Sequence, residues 1–204
     1  MGLLGGSFNP AHTGHRQVAR LALRRLRLHE VWLLVSPGNP LKPRLGMAPF
    51  AQRIASARAI GGRRVKATGI EAHIHTRWTY DTLAALRVRF PRVRFVWLMG
   101  ADNLVQLPRW QRWMGIAQAM PMAVAPRPTY NHRALAGQAA RRLRRWRRLA
   151  RSAPALALCR APAWTFLPAR QNPISATALR AGVQTGAAPA MTPGKRRPPK
   201  ETRP

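Results

Sequence analysis

Cysteine and long apolar runs are scarce in this chain of 204 residues. Its one cysteine, Cys159, excludes an internal disulfide and a cysteine-rich zinc site. No apolar run reaches the roughly 18 residues of a membrane-spanning helix, and the first residues lack the charged-then-apolar order of a secretory signal. We therefore expect a cytoplasmic protein with one domain, or at most two small ones.

Acidic residues are equally scarce. Only 5 residues are Asp or Glu, whereas 36 are Lys or Arg, which gives a formal net charge of +31. Such a surplus suits binding to polyanions, either nucleic acids or nucleotide phosphates. The arginines occur in nearly every segment and form no single stripe with aromatic residues, so the charge alone predicts only non-specific nucleic-acid binding. Because acids are few, any acid beside a candidate site is informative.

Several common functional motifs are missing. The chain has no Walker-type GxxxxGK[ST] sequence, and its glycine-rich turn GGSFNP does not match the GxGxxG dinucleotide fingerprint. No cysteine pairs with a histidine in a recognisable nucleophile motif. His73 and His75 alternate around Ile74 in a segment that we predict to be extended, but a third ligand is lacking nearby. We therefore predict no metal site.

Apolar runs alternate with helical patterns along the chain. We predict strands at residues 1–4, 30–36, 63–69, 93–99, 121–125 and 165–168, and helices at 16–26, 50–60, 79–90, 132–151 and 175–181. This alternation predicts an α/β fold with a doubly wound parallel sheet over residues 1–182. The first strand is short, so the chain is either clipped there or begins upstream. Residues 183–204 contain five prolines and predict a disordered basic tail.

The most informative stretch is residues 5–15, GGSFNPAHTGH, between the first predicted strand and the first helix. Glycines let the backbone approach a ligand, and the free N–H groups of a helix start attract anions. His12 and His15 are three residues apart, so both side chains lie on one side of the first helical turn. The stretch predicts a phosphate site with two imidazoles that stabilise developing negative charge.

Four further segments carry candidate side chains at predicted strand ends or helix starts. Lys42 lies in the proline-rich loop 37–43, Thr79 in TRWTYDTL at 76–83, Asp102 and Trp110 in 100–113, and Ser175, Thr177 and Arg180 in ISATALR at 174–180. Each also has an ordinary interpretation as a solvated lysine, a helix cap or a core tryptophan. From spacing alone, the cap and the anion site are equally good explanations of residues 76–83.

These five segments, in this order, resemble the HxGH nucleotidyltransferase superfamily, and the SFNP form is most similar to its bacterial nicotinate-nucleotide adenylyltransferase family. The similarity spans roughly residues 2–180. The segment TRWTYDTL is similar to that family's TxYTxxTL, with Trp78 where tyrosine is usual. The segment ISATALR is similar to ISSTxxR, with Ala176 in place of the second serine.

The resemblance implies a Rossmann-like nucleotidyltransferase fold and adenylyl transfer from ATP to nicotinate mononucleotide, with Mg²⁺ carried by ATP. It implies catalytic roles for His12, His15 and Lys42, ATP contacts by Gly6, Ser7, Phe8, His12, His15, Ser175, Thr177 and Arg180, and acceptor contacts by Asn9, Lys42, Thr79, Asp102 and Trp110. The choice between nicotinate and nicotinamide mononucleotide depends on backbone geometry.

Two alternatives remain open at this point. Pantetheine-phosphate adenylyltransferases and cytidylyltransferases also carry HxGH, although TRWTYDTL and GADN…W favour the nicotinate branch. A different class is a basic RNA-binding protein on an inactive copy of the fold, with residues 141–148 and the tail as its binding surface. Binding with a steep salt dependence would indicate the second alternative.

Overall fold

The computed structural model describes residues 1–38 and 46–169. The strands in these ranges are β1 Gly2–Gly6, β2 Val31–Val35, β3 Val65–Thr68, β4 Val96–Gly100, β5 Met122–Ala125, β6 Arg147–Arg148 and β7 Trp164–Phe166. The α-helices are α1 Thr13–Arg25, α2 Phe50–Ala59, α3 Ile70–His73, α4 Thr79–Arg89, α5 Ala101–Gln106, α6 Trp113–Ala119, α7 Asn131–Leu135 and α8 Gln138–Arg142. The 3₁₀ segments are Leu107–Arg109, Arg144–Trp146 and Ala150–Leu158.

The strands form one parallel sheet in the order β3-β2-β1-β4-β5-β7-β6. The chain builds outward from β1 in one direction and then, from β4 onward, in the other. This arrangement confirms the predicted doubly wound α/β fold. Among the described residues, no helix is both long and apolar enough to cross a membrane.

Alternate residues of the central strands face two separate apolar cores. One core joins the sheet to helices α4–α8 and the other joins it to α1, α2 and the segment Ala150–Leu158. Leu3, Leu34, Trp97 and Met99 contribute to the first core, and Leu4, Leu33, Val96 and Leu98 to the second. Strands covered on both faces read as continuous apolar runs, which is the pattern that marked them in the sequence.

The prediction of one long helix at residues 132–151 is wrong. The chain instead forms α7, α8, a 3₁₀ turn, β6 and a second 3₁₀ segment there. Gly137 precedes α8 in an extended conformation, and the buried indole Nε1–H of Trp164 donates to the carbonyl of Leu143 at 2.9 Å. Residues 147–148 then pair with β7 as an additional strand. Long-range pairing with β7 overrides the local helical pattern.

One further prediction is wrong, and three predicted segments lie wholly or mostly outside the described residues. The extended segment predicted around Ile74 is wrong, because Ile70–His73 forms a helical turn that ends where the N–H of Ile74 donates to the carbonyl of Ile70. The predicted helix 175–181 and tail 183–204 lie outside the described residues, as does most of the loop 37–43.

Gly5 is required by packing in the middle of the sheet. A Cβ atom at this position would lie 2.4 Å from Cη2 of the buried, rigid Trp97 ring. We expect Gly5→Ala to lower the free energy of unfolding by about 1–3 kcal/mol, because the ring and the strand must shift. Urea denaturation measures this change.

The matched control is Gly62→Ala, where a Cβ atom would meet no other atom within 4 Å. There the substitution should be neutral or slightly stabilising. Equal losses of stability in the two variants would contradict the packing argument.

Candidate active site

The candidate site lies at the carboxyl ends of β1 and β4, where the strand order reverses. The turn from Ser7 to His12 follows β1, and Asp102 follows β4 in the first turn of α5. Because the two strands are neighbours, these segments meet at one edge of the sheet. In open α/β sheets this switch point is where nucleotides bind.

The turn after β1 has a strained, tightly packed backbone. Phe8 has a positive φ of 48°, a conformation that costs a non-glycine residue free energy and is concentrated at functional sites. Its ring is buried and lies 4.8 Å from the ring of His15. The hydroxyl of Ser7 is buried and has no hydrogen-bond partner in the described structure. The ring of Phe8 thus packs against the ring of His15, and the hydroxyl of Ser7 is left without a hydrogen-bond partner among the described residues.

His12 and His15 cap α1 reciprocally. The N–H of Gly14 donates to Nδ1 of His12 at 3.1 Å, and the N–H of His12 donates to Nδ1 of His15 at 3.2 Å. The two rings are 3.9 Å apart. Because each Nδ1 accepts a hydrogen bond, each neutral ring carries its proton on Nε2. The sequence therefore builds two Nε2–H donors beside a helix N-terminus.

His12 is neutral at physiological pH. Burial lowers its pKa to about 4, and the positive charge of Arg127 contributes to the same shift. A neutral imidazole at this position donates a hydrogen bond from Nε2 and does not act as a cation. The positive charge near it comes from arginine.

Asp102 is paired with an arginine that sequence reasoning missed. Its Oδ2 lies 3.3 Å from Nη1 of Arg127, which follows β5, while its Oδ1 is buried without a hydrogen-bond partner in the described structure. Gly100 and Ala125, the last residues of β4 and β5, are paired in register. The available signal was the position of Arg127 just after a predicted strand, the same argument that selected Lys42.

Thr79 and Trp110 lie on elements that pack around α6. Thr79 is the first residue of α4, so its N–H belongs to the unsatisfied first turn of that helix. Trp110 directly follows the segment Leu107–Arg109 and caps its end. Its indole Nε1–H is buried without a partner within the described part of the chain. Ser7, Asp102 and Trp110 supply three of the four buried side-chain nitrogen or oxygen atoms that lack partners there, and the fourth belongs to Trp97.

Asn9 joins two loops. Its side-chain amide donates to the carbonyl of Gly46 at 2.9 Å and accepts from the N–H of Ala48 at 3.1 Å. Buried Arg53 joins the same regions through backbone carbonyls and was not selected from the sequence. Lys42, Ser175, Thr177 and Arg180 lie outside the described residues, so the structure does not position them.

Glu71 is a buried acid close to the end of β2 that sequence reasoning also left unassigned. Burial raises its pKa to about 7, against the opposite effect of hydrogen bonds from the hydroxyls of Ser36 and Thr82. Its scarcity as one of 5 acids was the signal that could have found it. No group of three or more His, Cys, Asp or Glu suited to a metal ion occurs in residues 1–38 and 46–169.

Fold and site together define a nucleotide-binding α/β protein of the nucleotidyltransferase type. Residues 3–182 match the family model described as cytidylyltransferase-like. Two Plasmodium falciparum nicotinic acid mononucleotide adenylyltransferase structures, complexed with APC and with NaAD, share the fold, with TM-scores of 0.61 and 0.64 at 16% identity. Each alignment covers 88% of this chain, and 81% and 82% of those chains respectively.

Curated relatives are much more similar in sequence. The chain is 61% identical to a "probable nicotinate-nucleotide adenylyltransferase" of Gluconacetobacter diazotrophicus, over 89% of this chain and 85% of the relative. It is 60% identical to the protein of the same name from Gluconobacter oxydans, over 88% and 93%. The chain belongs to the cytidylyltransferase-like family and, within it, to the bacterial nicotinate-nucleotide adenylyltransferases.

The raised pKa of Glu71 predicts a pH-dependent stability. Its folded pKa of about 7 exceeds the ordinary glutamate value of 4.5, so the stability linked to its proton is complete below pH 4.5 and is lost as pH rises through 7. Glu71→Gln removes this loss. We expect the variant to gain about 2–3 kcal/mol relative to wild type between pH 4.5 and pH 8.

Urea denaturation of both proteins at several pH values measures this gain. The comparison at pH 4.5, where both side chains are neutral in the folded protein, is the internal control. A difference in stability that does not change with pH would show that the buried carboxyl is not the source.

Proposed function

We propose that this protein transfers the adenylyl group of ATP to nicotinate mononucleotide, forming deamido-NAD and pyrophosphate. An oxygen of the mononucleotide phosphate attacks the α-phosphorus of ATP in line. A new P–O bond forms, and the bond between the α-phosphorus and the oxygen that bridges to the β-phosphorus breaks. Pyrophosphate leaves with that electron pair, and no protein group becomes covalently attached. Catalysis then consists of positioning and charge stabilisation.

The observation that carries this proposal is the reciprocal capping of α1 by His12 and His15. Because both Nδ1 atoms accept backbone N–H groups, the neutral rings carry their protons as two Nε2–H groups. They hydrogen-bond the phosphate oxygens of ATP and stabilise negative charge as it moves onto pyrophosphate. Gly6, Ser7 and Phe8 bring the backbone of the turn against the same phosphates, and the unused hydroxyl of Ser7 adds a donor.

The acceptor nucleotide occupies the adjoining side of the site in this proposal. Asp102 accepts hydrogen bonds from ribose hydroxyls through its unpartnered Oδ1, and Trp110 stacks on the pyridine ring. The N–H of Thr79, at the start of α4, receives the nicotinate carboxylate. Asn9 acts through the loop contacts described above.

The family motifs assign four further roles. Lys42 offsets the repulsion between the two anionic substrates, and Ser175, Thr177 and Arg180 hold the β- and γ-phosphates.

Magnesium enters as part of the substrate, in the MgATP complex. The described side chains around the turn offer two imidazoles, one hydroxyl and a single carboxylate, and that carboxylate, Asp102, is already paired with Arg127. Magnesium prefers phosphate oxygens and water to such donors. We therefore propose that ATP and water ligate the ion, which shields the phosphate charges.

Pyrophosphate release from MgATP tests the reaction and the acceptor together. Nicotinate mononucleotide, nicotinamide mononucleotide and phosphopantetheine are compared side by side at equal concentration. We expect release to be much faster with nicotinate mononucleotide. Faster release with phosphopantetheine would contradict the roles given to Thr79 and Trp110, and no release with any acceptor would contradict the proposed function.

His15→Ala removes one Nε2–H donor. We expect kcat to fall by about 10²–10³-fold, the usual cost of losing one donor to a developing negative charge. Stability should fall by only about 1 kcal/mol through loss of the cap.

The control is His29→Ala, which removes an exposed imidazole between α1 and β2. Steady-state kinetics and thermal unfolding are measured for both variants. Near-normal turnover of His15→Ala would refute its catalytic role.

A further inference from the structure

Arg53, on α2, is a buried guanidinium that the proposed mechanism does not use. It is 2% exposed and uses four of its five N–H groups on backbone carbonyls. Nη1 donates to Ser7 at 2.9 Å and Ser36 at 2.6 Å, Nη2 donates to Pro37 at 3.0 Å, and Nε donates to Ala48 at 3.0 Å. One side chain therefore ties together three separate segments of the chain.

The three segments all border the candidate phosphate site. Ser7 begins the turn after β1, Ser36 and Pro37 follow β2, and Ala48 precedes α2. The carbonyl and N–H of a trans peptide point in opposite directions, so a fixed carbonyl also fixes the next N–H. By holding the Ser7 carbonyl, Arg53 sets the direction of the N–H of Phe8, the residue with the strained backbone.

The charge of Arg53 has no acidic partner among the residues that the structure describes. The ion pairs there are Arg112 with Asp81 and Arg127 with Asp102. Carbonyl dipoles and the ring of Phe50, 5.4 Å from the guanidinium carbon, are its described surroundings. Burial lowers the pKa of Arg53, which reflects the cost of keeping this charge away from water. A bound anion next to the turn would compensate that charge.

We propose that Arg53 is a positioning residue of the phosphate site, holding the turn after β1 in its binding geometry and supplying a buried positive charge to bound ATP. The inference rests on the proposed function, because it requires the turn to bind phosphate. A purely structural role predicts lower thermal stability with an unchanged kcat/KM for ATP. The role proposed here predicts that loss of Arg53 lowers kcat/KM for ATP.

Arg53→Lys tests whether the planar guanidinium, with its several donors, is needed to hold the four carbonyls. Lysine keeps the charge but donates from one point, so it cannot reach all four carbonyls. We expect kcat/KM for ATP to fall by about tenfold to 10²-fold, since small misplacements of a site have effects of this size. The matched control is Arg64→Lys, whose guanidinium bonds the carbonyls of Leu28 and His29 at the opposite end of the sheet. That variant should retain the wild-type kcat/KM.

Chemical rescue of Arg53→Ala tests the charge. Guanidinium chloride and urea, each at low millimolar concentration, are compared as additives. Both are planar nitrogen donors of similar shape, but only guanidinium is charged. We expect guanidinium to raise kcat/KM at least about tenfold and urea to have little effect. Arg53→Lys supplies the test of positioning if the alanine variant does not fold.

The outcomes separate the two proposals. A wild-type kcat/KM in Arg53→Lys, or equal rescue by urea and guanidinium, would overturn the role of Arg53. The proposed function would still stand if the wild-type protein releases pyrophosphate with nicotinate mononucleotide. A fall in thermal stability without any change in kcat/KM would likewise show a structural role only. A wild-type protein that releases no pyrophosphate with any acceptor would overturn the proposed function, and with it this inference.

Discussion

Parallel hydrogen bonding of β1 to β2 on one side and β4 on the other determines where the turn after β1 and Asp102 of the candidate site lie. Five residues of β1 pair with β2 and three pair with β4. This central position lets the turn after β1 meet the start of α5 at the point where the strand order reverses. Gly5 makes the arrangement possible, because the ring of Trp97 from β4 occupies the space of a side chain there.

The candidate site combines a neutral His12 with two nearby arginines. Burial and the charge of Arg127 keep His12 neutral, so its contribution is a directed hydrogen bond. Positive charge comes from Arg127, which acts on His12, and from Arg53, which donates to the carbonyl of Ser7. Of these two, only Arg127 has an acidic partner among the described residues. In the proposed function, fixed donors and the buried charge of Arg53 need little rearrangement as a phosphate group acquires charge. The protein's scarcity of acids is compatible with this arrangement.

Local pattern predicted the fold well wherever it agreed with tertiary contacts. Apolar runs marked β1, β2, β4 and β5 because strands buried on both faces lack alternation. The pattern failed at residues 132–151, where a helical stripe is interrupted by Gly137 and by pairing of residues 147–148 with β7. No local signal reveals that a distant strand needs a partner at its edge. The same limit concealed Arg53, since four backbone carbonyls leave no motif in the sequence.

The sequence by itself determined the alternation of β1–β5 with α1, α2 and α4 and the HxGH turn, because these depend on residues close together in the chain. Its histidine spacing alone brings both imidazoles to the first turn of one helix. Only the tertiary structure decided that Asp102 pairs with Arg127, that Asn9 and Arg53 join the loops around the turn, and that Glu71 is buried. These contacts join residues distant in the chain, and their geometry and pKa values depend on packing and dielectric environment.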